Sequence, residues 1–262
     1  MYETVDVERY RGSPPSLIHT LTELPRFQLE LGLLLTTLPA LSLLPRGDGH
    51  RVLVLPGFMA GDESTVLLRR YLRFMGYKPE PWGLGLNTGR PTLLTEGIMQ
   101  RVAALWAKKP ERFSIIGQSL GGVFGREVGR LQPDKVRQVV TLGSPFSAKN
   151  SQSTMRLVSV LFERLSGLSV EEMREFLDDM DPEISPPVPV TAIYSREDGV
   201  AHWSACQEKQ EDDHTQNIRV CGSHVGMAMN AAIYYIIADR LRQADGEWQR
   251  FDAPLIGSSR IS

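Results

Sequence analysis

Cysteine is nearly absent: Cys206 and Cys221 are the only two in 262 residues. That excludes a disulfide-built scaffold, allows one Cys206–Cys221 bridge at most, and makes free thiols in a reducing compartment the default. Charge of one sign is lacking too. Lys and Arg number 29 against 31 Asp and Glu, a formal net charge of -2, with no basic run, so no nucleic-acid partner is expected. Residues 1–10, M-Y-E-T-V-D-V-E-R-Y, lack the basic and apolar regions of a secretory leader, so the expected location is the cytoplasm. The longest apolar run, residues 31–44, contains Pro39 and falls short of the roughly 20 residues that span a bilayer. It is expected to be a buried helix packed on the domain, with a surface that meets lipid or a partner as the alternative. The spacings H-E-x-x-H, G-x-G-x-x-G and G-x-x-x-x-G-K-[ST] are all missing. No metal is therefore expected, and a nucleotide-binding turn is disfavoured.

What is present is an alternation of strand and helix patterns. Arg51-Val52-Leu53-Val54-Leu55 is a short apolar run bounded by turn residues, as in a strand buried on both faces. Helical spacing follows over 63–75 and again over 93–107. A strand over 113–116 leads into a helix from about Leu120 to Leu131, and 136–142 reads as another strand. Strand–helix–strand repeats of this kind build a parallel sheet with right-handed crossovers. Residues 144–187 break the rhythm with two helical stretches, about 152–166 and 169–179, and a proline-rich return, the pattern of a small helical cap insertion. Strands at 189–194 and 217–221 and a helix over 230–243, capped by Asn230, resume the pattern. Residues 1–45 read as a helical segment ahead of the sheet. The length suits one domain spanning 1–262.

Within that frame, Gly117-Gln118-Ser119-Leu120-Gly121-Gly122 joins a strand directly to a helix. A serine hydroxyl becomes nucleophilic only when a base removes its proton as the bond forms. It must therefore project from the chain, which a sharp strand-to-helix turn achieves. Side chains two before and two after would collide in such a turn, and glycine stands at both places. The following helix also directs its N-terminus at developing negative charge. Ser119 is the candidate nucleophile.

The base should be a histidine on a late loop. Of five histidines, His224 in G-S-H-V-G follows the last strand, and His202 is the runner-up. The acid should follow strand 189–194, where S195-R-E-D-G-V offers Asp198 and, less favoured, Glu197. The chain order Ser119, Asp198, His224 suits this architecture. Two main-chain donors for an oxyanion are expected at Leu120, after the nucleophile, and at Phe58, after the Pro56-Gly57 turn that ends the first strand.

On these residues the sequence resembles the α/β-hydrolase fold family, in particular its esterase- and lipase-like members. The resemblance rests on L53-V-L-P-G-F-M-A-G, G117-Q-S-L-G-G, S195-R-E-D-G-V and G222-S-H-V-G, and spans about residues 50–243. W82-G-L-G-L-N-T-G also looks like a loop of a largely uncharacterised bacterial branch. One departure is Pro56-Gly57 where many members carry His-Gly. The resemblance implies a serine hydrolase that cleaves carboxylic esters through an acyl-enzyme, without a cofactor. The alternatives are acyl transfer by the same triad and a non-catalytic binding scaffold. Met59 and Trp82, on loops expected to surround Ser119, are the candidate substrate contacts. They point to a small-molecule ester with an apolar acyl or aromatic group. Phe146, Met155, Leu157 and Leu161 of the insertion would add apolar surface.

Overall fold

The structure, a computed structural model, describes residues 13–147 and 184–252, together with 166, 167 and 172. The two helical stretches expected within the cap insertion, and with them Met155, Leu157 and Leu161, lie essentially outside the described residues.

Six strands form one sheet: β1 (Arg51–Leu55), β2 (Lys78–Pro81), β3 (Phe113–Gln118), β4 (Val136–Leu142), β5 (Val190–Ser195) and β6 (Thr215–Val220). Their order is β2-β1-β3-β4-β5-β6, and every pairing is parallel. The order reverses between β1 and β3, the place where open parallel sheets form a crevice beyond the carboxyl ends of their strands. In register, Leu55 faces Gly117, Gln118 faces Leu142, Leu142 faces Ile193 and Ser195 faces Val220. The loops leaving β1, β3, β5 and β6 are thereby gathered along one edge.

Period-two alternation sorts the core into two layers. Val52, Val54, Ile116 and Val140 face one side, against α2 (Glu23–Leu41), α3 (Val66–Phe74) and α6 (Ala231–Arg242). Leu53, Leu55, Ile115 and Val139 face the other, against α4 (Met99–Lys108) and α5 (Leu120–Leu131). A short helix, α1 (Leu17–Leu21), precedes α2. The Asn230 side chain accepts from the Ala232 N–H, the expected cap of α6.

Two sequence expectations need correction. Strand β2, K-P-E-P, was not foreseen, because two prolines argue against a ladder strand. Among the described residues it pairs only with β1, and an edge strand tolerates missing N–H groups. The apolar N-terminal segment is helical and packs on the domain, but it is only partly buried. Leu34 and Leu41 are covered, whereas Leu24, Leu29, Leu33 and Leu35 are exposed. The reason is that α2 spends its inner face on charge: Glu23, Arg26 and Glu30 point at the loops after β5 and β6. No described helix is long and apolar enough to cross a membrane. Cys206 and Cys221 are free thiols, the first buried and the second exposed.

Phe146 and Ile184, on either side of the largely undescribed 148–183, meet at one buried ion pair. Arg126 on α5 donates to both Glu208 carboxylate oxygens at 2.8 and 3.0 Å. Its guanidinium also lies over the Phe146 ring and donates to the Ile184 carbonyl. Replacing Arg126 by Ala leaves the Glu208 charge buried without its partner, which costs about 3–5 kcal/mol. The expected readout is a large fall in the urea midpoint, and an unchanged midpoint would refute the role.

Candidate active site

The strand β3 ends and α5 begins at Ser119 itself, whose backbone adopts φ 50° and ψ -123°. A non-glycine residue held there is strained, and the surroundings enforce it. The Ser119 N–H donates to the Leu142 carbonyl, and a Cβ on Gly117 would stand 2.4 Å from the Gly121 carbonyl oxygen. A Cβ on Gly121 would meet the Leu55 and Pro56 carbonyl oxygens at 2.5 Å. Glycine is demanded at both places by backbone approach, as the sequence pattern implied.

The loop after β6 brings His224 to this turn, where its Nε2 stands 3.0 Å from Ser119 Oγ. The other ring nitrogen, Nδ1, lies 2.6 Å from Asp198 Oδ2, on the loop after β5. Asp198 is buried, and its Oδ1 accepts from the Val200 and Ala201 N–H groups at 2.8 and 2.7 Å. Burial alone would lower the His224 pKa. The Asp198 carboxylate, through its charge and hydrogen bond, and Glu23 at longer range outweigh it, so the net shift is upward. The arrangement can draw a proton from Ser119 and hold it as an imidazolium.

His202 is elsewhere: its Nδ1 meets Ser204 Oγ at the start of the short turn Trp203–Cys206. Glu197 turns outward to Arg219 at 3.1 Å. Of the two acids weighed, Asp198 is the one against the histidine.

On the β1 side, the backbone at Gly57 passes so close that a Cβ there would lie 3.3 Å from Ser119 Cβ. Phe58 follows it, and then Met59 with φ 58°. Ser119 and Met59 are the two non-glycine residues of positive φ among those described, one at the elbow and one closing the facing loop. Leu120 opens α5, in the first turn where helical N–H groups have no partner within the helix.

Two features were missed in the sequence. Asn87, inside the quoted W82-G-L-G-L-N-T-G segment, is fully buried and fixes the Phe58 loop. Its side chain donates to the Pro56 carbonyl at 2.9 Å, and its own carbonyl accepts from the Met59 N–H at 2.8 Å. A buried amide among glycines was the available signal. The second is the set Glu23, Arg26 and Glu30, whose spacing of three and four puts them on one helical stripe. The candidate substrate contacts divide. Met59 is exposed, whereas Trp82 is a core side chain, packed with Leu94 and Ile98, its indole N–H donating to the Gly85 carbonyl. Trp82 leaves no surface for a substrate.

A second Ser–His–Asp set lies at the opposite edge of the sheet. His50 Nε2 is 2.9 Å from Ser114 Oγ and its Nδ1 is 2.5 Å from Asp48 Oδ1. Ser114 is fully buried within β3, and burial pushes the His50 pKa down. Among the described residues no group of three or more His, Cys, Asp and Glu side chains is placed to hold a metal ion.

No known sequence family matches the chain, and no curated protein matches it. Solved structures do. A monoacylglycerol lipase of Paleococcus ferrophilus superposes with a TM-score of 0.53 at 13% identity, over 75% of this chain and 96% of that one. This is the α/β-hydrolase fold. Aspergillus fumigatus lipase B shares it, with a TM-score of 0.57 and 14% identity over 76% of this chain and 54% of that one. So does a structure of the metagenome-derived lipolytic enzymes LipS and LipT, at 0.54 and 14%, over 76% and 94% of the two chains. In an α/β-hydrolase fold the carboxyl edge of the sheet is where Ser119, Asp198 and His224 meet here.

Proposed function

We propose that the chain is a serine hydrolase of carboxylic esters, acting through Ser119, His224 and Asp198. The observation that carries this reading is the continuous Ser119–His224–Asp198 hydrogen-bonded line, built on a strained turn at the sheet's carboxyl edge.

His224 Nε2 takes the hydroxyl proton as Ser119 Oγ attacks the acyl carbon. The carbonyl oxygen becomes an oxyanion received by the Phe58 and Leu120 amides. The imidazolium, balanced by Asp198, then protonates the leaving alcohol. Water, deprotonated by the same nitrogen, hydrolyses the acyl-enzyme and frees Ser119. The Ser119–His224–Asp198 contacts are formed before substrate arrives, and preorganisation of that kind lowers the barrier. The similar folds of proteins described as lipases support ester chemistry, and exposed Met59 beside the oxyanion loop suits an apolar acyl or aromatic group.

The test is hydrolysis of p-nitrophenyl esters of rising acyl length, with and without detergent. A measurable kcat/KM that varies with acyl length is the expected result. The absence of hydrolysis across the series, with alcohol acceptors also inert, would overturn the reading in favour of a binding scaffold.

A further inference from the structure

We propose that Glu23, carried on the N-terminal helix α2 outside the α/β core, is a positioning residue that holds the acid loop and the base loop of the triad in a single grip. The inference rests on the triad reading above and adds a group that the sheet itself does not supply.

The grip is made by one carboxylate. Glu23 Oε1 accepts from the Gly199 N–H at 2.8 Å and the His224 N–H at 3.0 Å. Its Oε2 accepts from the Val225 N–H at 3.1 Å. Gly199 directly follows Asp198, so the same side chain fixes the backbone next to the acid and the backbone of the base itself. Arg26, one turn on, pairs with Glu23 at 3.0 Å and donates to the Glu197 and Gly222 carbonyls at 2.7 and 3.3 Å. Glu30, a further turn on, accepts from the Ser223 N–H and hydroxyl at 2.6 and 2.9 Å. Three side chains on one stripe thus occupy the backbone of both loops.

Docking is close enough to dictate sequence on the far side. A Cβ on Gly199 would sit 2.4 Å from the His19 carbonyl carbon and the Thr20 nitrogen. The glycine after Asp198 is therefore required by the approach of the N-terminal segment. Thr20 Oγ1 completes the contact by donating to the Gly199 carbonyl at 2.6 Å. A helix that merely covered the core would bury leucines there. This one turns its charged side chains inward, onto amides that bear the catalytic geometry.

The electrostatic sense agrees with the geometry. The charged groups facing the His224 loop are Asp198 after β5 and Glu23, Arg26 and Glu30 from α2. Within that set, Glu23 acts on His224 in the same direction as Asp198, favouring the imidazolium. Removing it should move the acid limb of the pH–rate profile to lower pH, since the base then stays neutral further into acid.

The test compares wild type with Glu23→Ala and the milder Glu23→Gln. Active sites are titrated with a fluorophosphonate, and hydrogen exchange is followed at residues 198–202 and 221–227. Expected for Glu23→Ala is a kcat per titrated site lower by roughly a hundredfold, the scale of a misplaced reacting group, with KM little changed. Exchange at Gly199, His224 and Val225 rises together. Glu23→Gln keeps one acceptor oxygen, and should show a smaller loss in kcat with the same downward shift of the acid limb. A purely structural role would lower the melting temperature or the titrated fraction, but leave kcat per site and the acid limb in place. That result overturns the proposal. Should wild type fail to label at Ser119, the triad reading falls first. Exchange still decides the grip, and unchanged protection in both variants refutes it.

Discussion

Ser119→Ala is expected to reduce ester turnover by about a millionfold, the scale set by deleting a nucleophile that works as a unit with its base. The fold should survive. Ser119 contributes its main chain to the elbow, through the N–H to Leu142 and the carbonyl that receives the first N–H groups of α5, and alanine keeps both. Labelling by a fluorophosphonate should vanish with activity. The opposite outcome, retained turnover with retained melting temperature, would remove Ser119 from the chemistry and leave the α/β-hydrolase fold without a nucleophile at its elbow.

Asp198→Asn is expected to be nearly as severe, about ten-thousandfold in kcat, with the loops largely undisturbed. The Asn oxygen can still accept from Val200 and Ala201, as Asp198 Oδ1 does now. Its amide would then face His224 Nδ1 as a donor, so the ring must present an acceptor there and carry its proton on Nε2. That tautomer cannot take the serine proton. A second signature follows from charge. Burial favours neutral His224, and Asp198 is the main influence opposing it. With that carboxylate gone the His224 pKa falls, so the residual activity should persist to lower pH than in wild type. The two readouts, magnitude and direction of the limb, are measured in one pH–rate series. An acid limb that stays put would separate Asp198 from the base.

Much of this was legible in the chain. β1, β3, β4 and β5 are buried along nearly their whole length, and such strands read as short apolar runs, whereas β6, a half-exposed edge strand, is legible from its place after β5 in the alternation. That Ser119, Asp198 and His224 would lie together was legible because the elbow has a steric signature and the parallel sheet delivers later loops to its edge. Three things were hidden for physical reasons. β2 contains two prolines and lies at an edge, where propensity is a weak guide. Trp82 looked like a loop residue because its neighbours are glycines, yet the loop folds back and carries the indole into the core. Glu23 reaches the His224 loop across some two hundred residues of sequence, as the Glu23–His224 contact shows. No local pattern reports a contact of that range. The charges interrupting a leucine-rich helix were visible, but their direction depends on how α2 docks.

The Asp48–His50–Ser114 line bears on how such sites should be recognised. It reproduces the atoms and almost the spacings of the set around Ser119, yet its serine is fully buried near the start of β3. A distance search alone would return two answers for this protein. An electrophile would return one, because reactivity needs a door and a receiver for negative charge as well as three residues in line. Ser114 is thus a built-in control: any reagent that modifies it reports unfolding.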